Sequence, residues 1–108
     1  MSFGRLAVGI PAANTDTVIY TVPDNCTYAE LTINILNPDV TDSTVQVALA
    51  TTNTPAANEY IEKGVILPAN GGILERTQLL ASPGERIVVR STLADNVVRV
   101  SGKVFTTR

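Results

Sequence analysis

The chain has 108 residues, a hydrophobic fraction of 44%, a formal net charge of −2 and no histidine. A chain of this length makes one domain with one core, without help from disulfides or metal. The weakly acidic balance and scattered basic residues argue against capture of nucleic acid or anionic lipid, and the missing imidazole removes the commonest general base, the usual hydrolase triads and most zinc and copper sites.

Aromatic residues make up 5% and Trp is absent, so the core must come from Val, Ile, Leu and Ala. The apolar residues recur with period two, the mark of half-buried strands. The first predicted strand runs from Phe3 to Ile10 and stops at Pro11, which cannot donate to a ladder. The second, Thr17 to Val22, is expected to set Val18, Tyr20 and Val22 on one face. Pro23-Asp24-Asn25 is turn chemistry. Tyr28 to Asn37 alternates most cleanly, with Ala29, Leu31, Ile33 and Ile35 on one side and Glu30, Thr32 and Asn34 on the other. Ser43 to Thr51 puts Val45, Val47 and Leu49 inward.

A polar loop from Thr52 to Asn58 leads to a fifth strand, Glu59 to Leu67, whose Gly64 suggests a bulge. Asn70-Gly71 supplies the positive φ values of a type I′ hairpin turn. Ile73 to Leu80 has some helical character, but its Gly-Gly and Pro-Gly flanks lie a strand's length apart. Pro83-Gly84 reads as a type II turn. Glu85 to Ser91 directs Ile87 and Val89 inward, and Asn96 to Thr106 does the same with Val98, Val100 and Val104.

These elements predict an all-β fold over residues 1–108: one antiparallel β-sandwich of about eight strands, jelly-roll or immunoglobulin-like. Residues 1–10 are expected to form an edge strand or an assembly arm. Cys26 is the only cysteine, so no internal disulfide forms, and without an adjacent base its thiol is expected to be unreactive. No apolar stretch is long enough to span a bilayer. The first residues lack the basic patch and apolar run of a signal peptide, so the chain is expected to be made and kept in a cytoplasm unless it leaves as part of a larger particle.

No constellation with catalytic character stands out. The carboxylate pairs Glu59 with Glu62 and Glu75 with Glu85 read as solvent-facing partners of Lys63, Arg76 and Arg86. The oxygen-rich loops holding Asn37, Asp39 and Asp42, and Asn14 and Asp16, lack EF-hand spacing and read as turns. The chain is therefore expected to be no enzyme and to need no cofactor or metal. Tyr28 and Tyr60 flank strand starts and are candidate ligand contacts. Arg76, Arg86, Arg90 and Arg99 lie on strands adjacent in sequence and could share one basic face suited to a protein interface. The first and last strands are candidate open edges for pairing with a neighbour. Phe3, Leu6, Val8 and Ile10 supply the apolar side chains of the first.

The chain resembles small β-sandwich structural proteins of tailed bacteriophages. The resemblance is carried by Pro11-Ala12-Ala13-Asn14-Thr15-Asp16-Thr17 running into Ile19-Tyr20-Thr21-Val22-Pro23, and by Tyr60-Ile61-Glu62-Lys63-Gly64-Val65-Ile66-Leu67. Pro83-Gly84-Glu85-Arg86-Ile87-Val88-Val89 and Val100-Ser101-Gly102 complete it. It implies a non-enzymatic virion protein accessory to head or tail: a capsid decoration protein, or a neck or tail component. It implies a homo-oligomer, assembled in the host cytoplasm, that docks on other virion proteins such as the major capsid protein or tail and neck proteins, with no nucleic-acid or membrane partner. The alternative is a receptor- or glycan-binding adhesin module of a tail fibre. On the leading expectation, deleting Met1 to Ile10 abolishes incorporation into particles and leaves a folded domain.

Overall fold

Each alternating run forms a strand, with bounds close to those expected from the sequence. A computed structural model describes the backbone of residues 2–106 and the side chains of residues 4–105. The strands are β1 (Ser2–Gly9), β2 (Thr17–Thr21), β3 (Cys26–Asn37), β4 (Ser43–Ala50), β5 (Tyr60–Leu67), β6 (Gly72–Ala81), β7 (Arg86–Ser91) and β8 (Val97–Thr106). A single 3₁₀ turn, Ala57–Glu59, precedes β5.

The strands form two four-stranded antiparallel sheets, ordered β1-β8-β3-β6 and β2-β7-β4-β5. The pairs β4–β5, β3–β6, β2–β7 and β1–β8 are nested about one centre, the β4–β5 hairpin. The chain is thus a long two-stranded ribbon rolled up so that β3 meets β8 and β4 meets β7. That is the winding of a jelly roll, and it decides between the two strand orders the sequence allowed.

The winding corrects two expectations. Asn70 and Gly71 do take positive φ, 62° and 105°, but they carry the chain from β5 in one sheet to β6 in the other and make no hairpin. Pro83-Gly84 forms the expected turn, with the Glu85 amide donating to the Ser82 carbonyl at 3.1 Å, and it too crosses between sheets. The second correction concerns the last strand. β8 is hydrogen-bonded on both sides, by β1 and β3, so it is no open edge. The edges are β1 and β6 in one sheet and β2 and β5 in the other.

The core lies between the sheets. Ala29, Leu31, Ile33 and Ile35 of β3 and Val98, Val100 and Val104 of β8 face Val45, Val47, Ile87 and Val89 of the second sheet, all buried. Side chains this small allow close approach and high packing density. Bulges adjust the parity. In β2 a register shift between Val18 and Tyr20 leaves Tyr20 packed on the core and places Val18 with Ala48, Ala50 and Val88 in a separate cluster. Val18 therefore does not share a face with Tyr20 and Val22, because a bulge reverses the alternation. In β5 the shift opposite Gln46 falls at Gly64, with φ 74°, as expected.

Two details close the sandwich. A buried polar cluster ties one end. The Asn37 side-chain amide donates to the carbonyls of Thr41, Leu67 and Pro68 at 3.0, 3.1 and 3.2 Å, and its oxygen accepts from the Asp39 amide and from Asn96 Nδ2. Ser43 Oγ donates to Asn96 Oδ1 at 2.6 Å. The second detail is Gly102, at φ 142°, where a side chain would run into the Glu30 carbonyl oxygen of the neighbouring strand. Gly102→Ala combines strained backbone with that collision and is expected to lower stability by about 2–3 kcal/mol, read from the urea midpoint.

Candidate functional site

The two sheets present different faces to solvent. On the outer face of the β2-β7-β4-β5 sheet, Ala48, Ala50 and Val88 are buried, with Val18 and Tyr60 packed against them. The β4–β5 connection folds back over this cluster. The Glu59 carboxylate holds it in shape by accepting from the Ala56 amide at 2.8 Å and from the amide and hydroxyl of Thr51. Those bonds, the Ala56 one foremost, hold the Glu59 carboxyl below its usual pKa. Asn53 of the same loop accepts from Arg86 Nη1 at 2.6 Å.

The outer face of the β1-β8-β3-β6 sheet has no such cover among the described residues. Antiparallel pairing sorts its side chains into cross-strand rows. One row is Val97, Leu36 and Ile73; the next is Val8, Arg99, Asn34 and Glu75. Arg5, Ser101 and Thr32 follow, then Lys103, Glu30 and Leu80, then Phe105 and Tyr28. Tyr28 and Phe105 stack with ring centroids 4.5 Å apart. Ile73, Leu80 and Val8 are 60%, 66% and 48% exposed. Two depressions lie along the face. One, of about 420 Å³, is lined by Glu30, Thr32, Gln78, Ser101 and Lys103, and the other, of about 280 Å³, by Asn34, Leu36, Ile73, Val97 and Arg99. Exposed aliphatic side chains gathered on one uncovered face are a feature of surfaces that bind partners.

The residues singled out from the sequence are scattered over the molecule. Val8, Arg99 and Tyr28 lie on this face. The Phe3 side chain lies outside the described residues. Ile10 is exposed just past the end of β1, whereas Leu6 turns inward against the core, so the first strand does not offer one continuous apolar edge. Tyr60 belongs to the other sheet, with Lys63 Nζ 4.7 Å above its ring. The shared basic face is not formed. Arg86 and Arg90 lie on β7 in the second sheet, Arg99 on β8 in the first, and Arg76 on the edge strand β6. β6, β7 and β8 are not neighbours in this winding, because each connection between them crosses to the other sheet, which is why the grouping fails.

Arg76 has a different task. It pairs with core-facing Ile33, and Glu62 pairs with core-facing Val47, so both point between the sheets at the open side. Arg76 Nη1 and Glu62 Oε2 meet at 2.7 Å, joining edge strands of opposite sheets. Inward-pointing charges on edge strands hinder pairing with other chains. Arg90 approaches Asp16 at 3.9 Å.

The oxygen-rich loops and carboxylates serve the backbone. Asp39 accepts from the amide and hydroxyl of Thr41, both at 3.0 Å. Asp42 accepts from the Ala69 amide at 2.9 Å and Glu85 from the Ser82 amide at 2.6 Å. Asp39 also shares a hydrogen bond with Asp95, which lowers the pKa of Asp39 and raises that of Asp95. Cys26 is buried.

Leu36, Ile73, Leu80 and Val97 were not singled out from the sequence, and Glu30, Glu75 and Lys103 were not grouped with them on one face. Their signal was present: Leu36 and Val97 are apolar at positions whose strand parity points to solvent. Scans of the chain against protein-family models, curated proteins and solved structures each return no match.

Proposed function

We propose that the chain is a non-enzymatic structural protein of a bacteriophage virion, accessory to head or tail. It acts by homo-oligomeric assembly and by docking on other virion proteins. The observation that carries this reading is the uncovered outer face of the β1-β8-β3-β6 sheet, which exposes Val8, Ile73 and Leu80 and holds two shallow hollows of mixed polarity. The absence of histidine from the sequence narrows the chemistry open to the chain. The resemblance to phage sandwich proteins adds support, and so does the jelly-roll winding, which recurs in viral shells and in lectins. Both of these are analogies of fold and pattern.

Quantitative mass spectrometry of purified particles tests the proposal. The chain is expected at a fixed copy number. A value on the order of hundreds points to head decoration, and a few to a few dozen to neck or tail. Absence from particles rejects the proposal. The adhesin reading draws on one observation, the Tyr28–Phe105 stack on the same face, with Tyr28 40% exposed. It requires a glycan-array signal that Tyr28→Ala removes.

A further inference from the structure

The uncovered face is divided electrically. Its basic side chains, Arg5 on β1 and Arg99 and Lys103 on β8, occupy one half, and its acidic ones, Glu30 on β3 and Glu75 on β6, occupy the other. The boundary runs between β8 and β3, the two central strands of the sheet. None of these five side chains makes an ion pair with another described residue.

We infer that this face binds a second copy of the chain, face to face, about a two-fold axis that runs parallel to the strands between β8 and β3. The inference rests on the assembly reading above and names one partner for it. Two in-plane dyads lay the face on its own copy with the strands aligned. A dyad across the strands lays β8 on its own copy and sets basic half on basic half. A dyad along the strands lays β8 of each copy on β3 of the other and preserves the rows. Lys103 then meets Glu30 of the second copy, the one pair of opposite charges, while Arg99 meets Asn34, Ser101 meets Thr32, Val97 meets Leu36, Phe105 meets Tyr28 and, on the outer strands, Val8 meets Glu75. Every contact appears twice, as an isologous interface requires.

The size is sufficient but small. Four strands at about 4.8 Å spacing and eight residues at about 3.4 Å rise give a face of roughly 500 Å². Two such faces bury about 1,000 Å², the lower limit for a specific interface. The dimer is therefore expected to be weak, with charge fixing its register more than its strength.

Charge exchange tests the arrangement. In sedimentation equilibrium the wild-type chain is expected to self-associate reversibly at high micromolar concentration. Lys103→Glu and Glu30→Lys each set like charges together twice and are expected to weaken association at least tenfold. Mixing the two variants re-forms both pairs, so heterodimers are expected from chains that no longer pair with themselves. Circular dichroism melts check that each variant folds, and Lys103→Gln provides a milder variant should a reversal unfold. A strictly monomeric wild type overturns the inference. So does a dimer indifferent to these changes, which would indicate pairing through another surface. A chain present in particles yet monomeric rejects the dimer and leaves the virion assignment standing. A dimeric chain absent from particles does the reverse.

Discussion

Removing residues 1–10 is expected to deprive the domain of most of its stability. β1 is the hydrogen-bonded partner of β8 from Ser2 to Gly9, and its Leu6 and Ala7 pack on the core. Gly9 lies against Ile19, so close that a β-carbon there would sit 2.8 Å from the Ile19 Cδ1 atom. Deleting this segment opens β8 as an apolar edge and uncovers core aliphatics on both sheets. Unburying side chains of this kind loses about 1.5–3 kcal/mol for each one fully exposed, against a total of about 5–15 kcal/mol for a typical domain. The entropy no longer needed to order the segment offsets part of that loss. The expected result is aggregation, or a melting temperature lower by more than about 15 °C. A truncated chain that melts like the full one would confine β1 to an assembly role, as the sequence led us to expect.

Asn37→Ala is expected to be the most damaging single substitution. Asn37 is fully buried and its side chain makes five hydrogen bonds, to Asp39, Thr41, Leu67, Pro68 and Asn96. These join the end of β3 to the end of β5, the following loop and the residue before β8. Leaving buried partners unsatisfied costs about 1–3 kcal/mol per group, so a loss of about 3–5 kcal/mol is expected in chemical denaturation. Asn37→Asp discriminates the cause. It preserves size but points a carboxylate at three carbonyl oxygens, which raises the folded-state pKa of the new group. Its stability should be present at low pH, where the acid can donate, and should fall as pH rises through that raised value. A loss equal to that of Asn37→Ala and independent of pH would mean that packing, not hydrogen bonding, holds this corner.

The faces of the candidate site show where sequence reasoning reached and where it stopped. Val8, Arg99 and Tyr28 were singled out from local chemistry and do lie on one surface. Their companions Ile73, Leu80 and Leu36 were read only as strand residues. An apolar residue at a solvent-facing position is ordinary in isolation. It gains meaning once its cross-strand neighbours are known, and those neighbours come from β3, β6 and β8, far apart in the chain. The Arg grouping failed for the same reason: it took sequence order for spatial order.

Strand positions, the direction of most core side chains, the bulge at Gly64, the positive φ of Asn70-Gly71 and the turn at Pro83-Gly84 were all determined locally. A pleated backbone alternates with period two, and positive φ falls to Gly and Asn. Only the tertiary structure decided which strands pair, which face stays uncovered and where the charges divide. Rolling the ribbon is a global packing solution, and nearly identical alternating aliphatic strands carry no local mark of their partners.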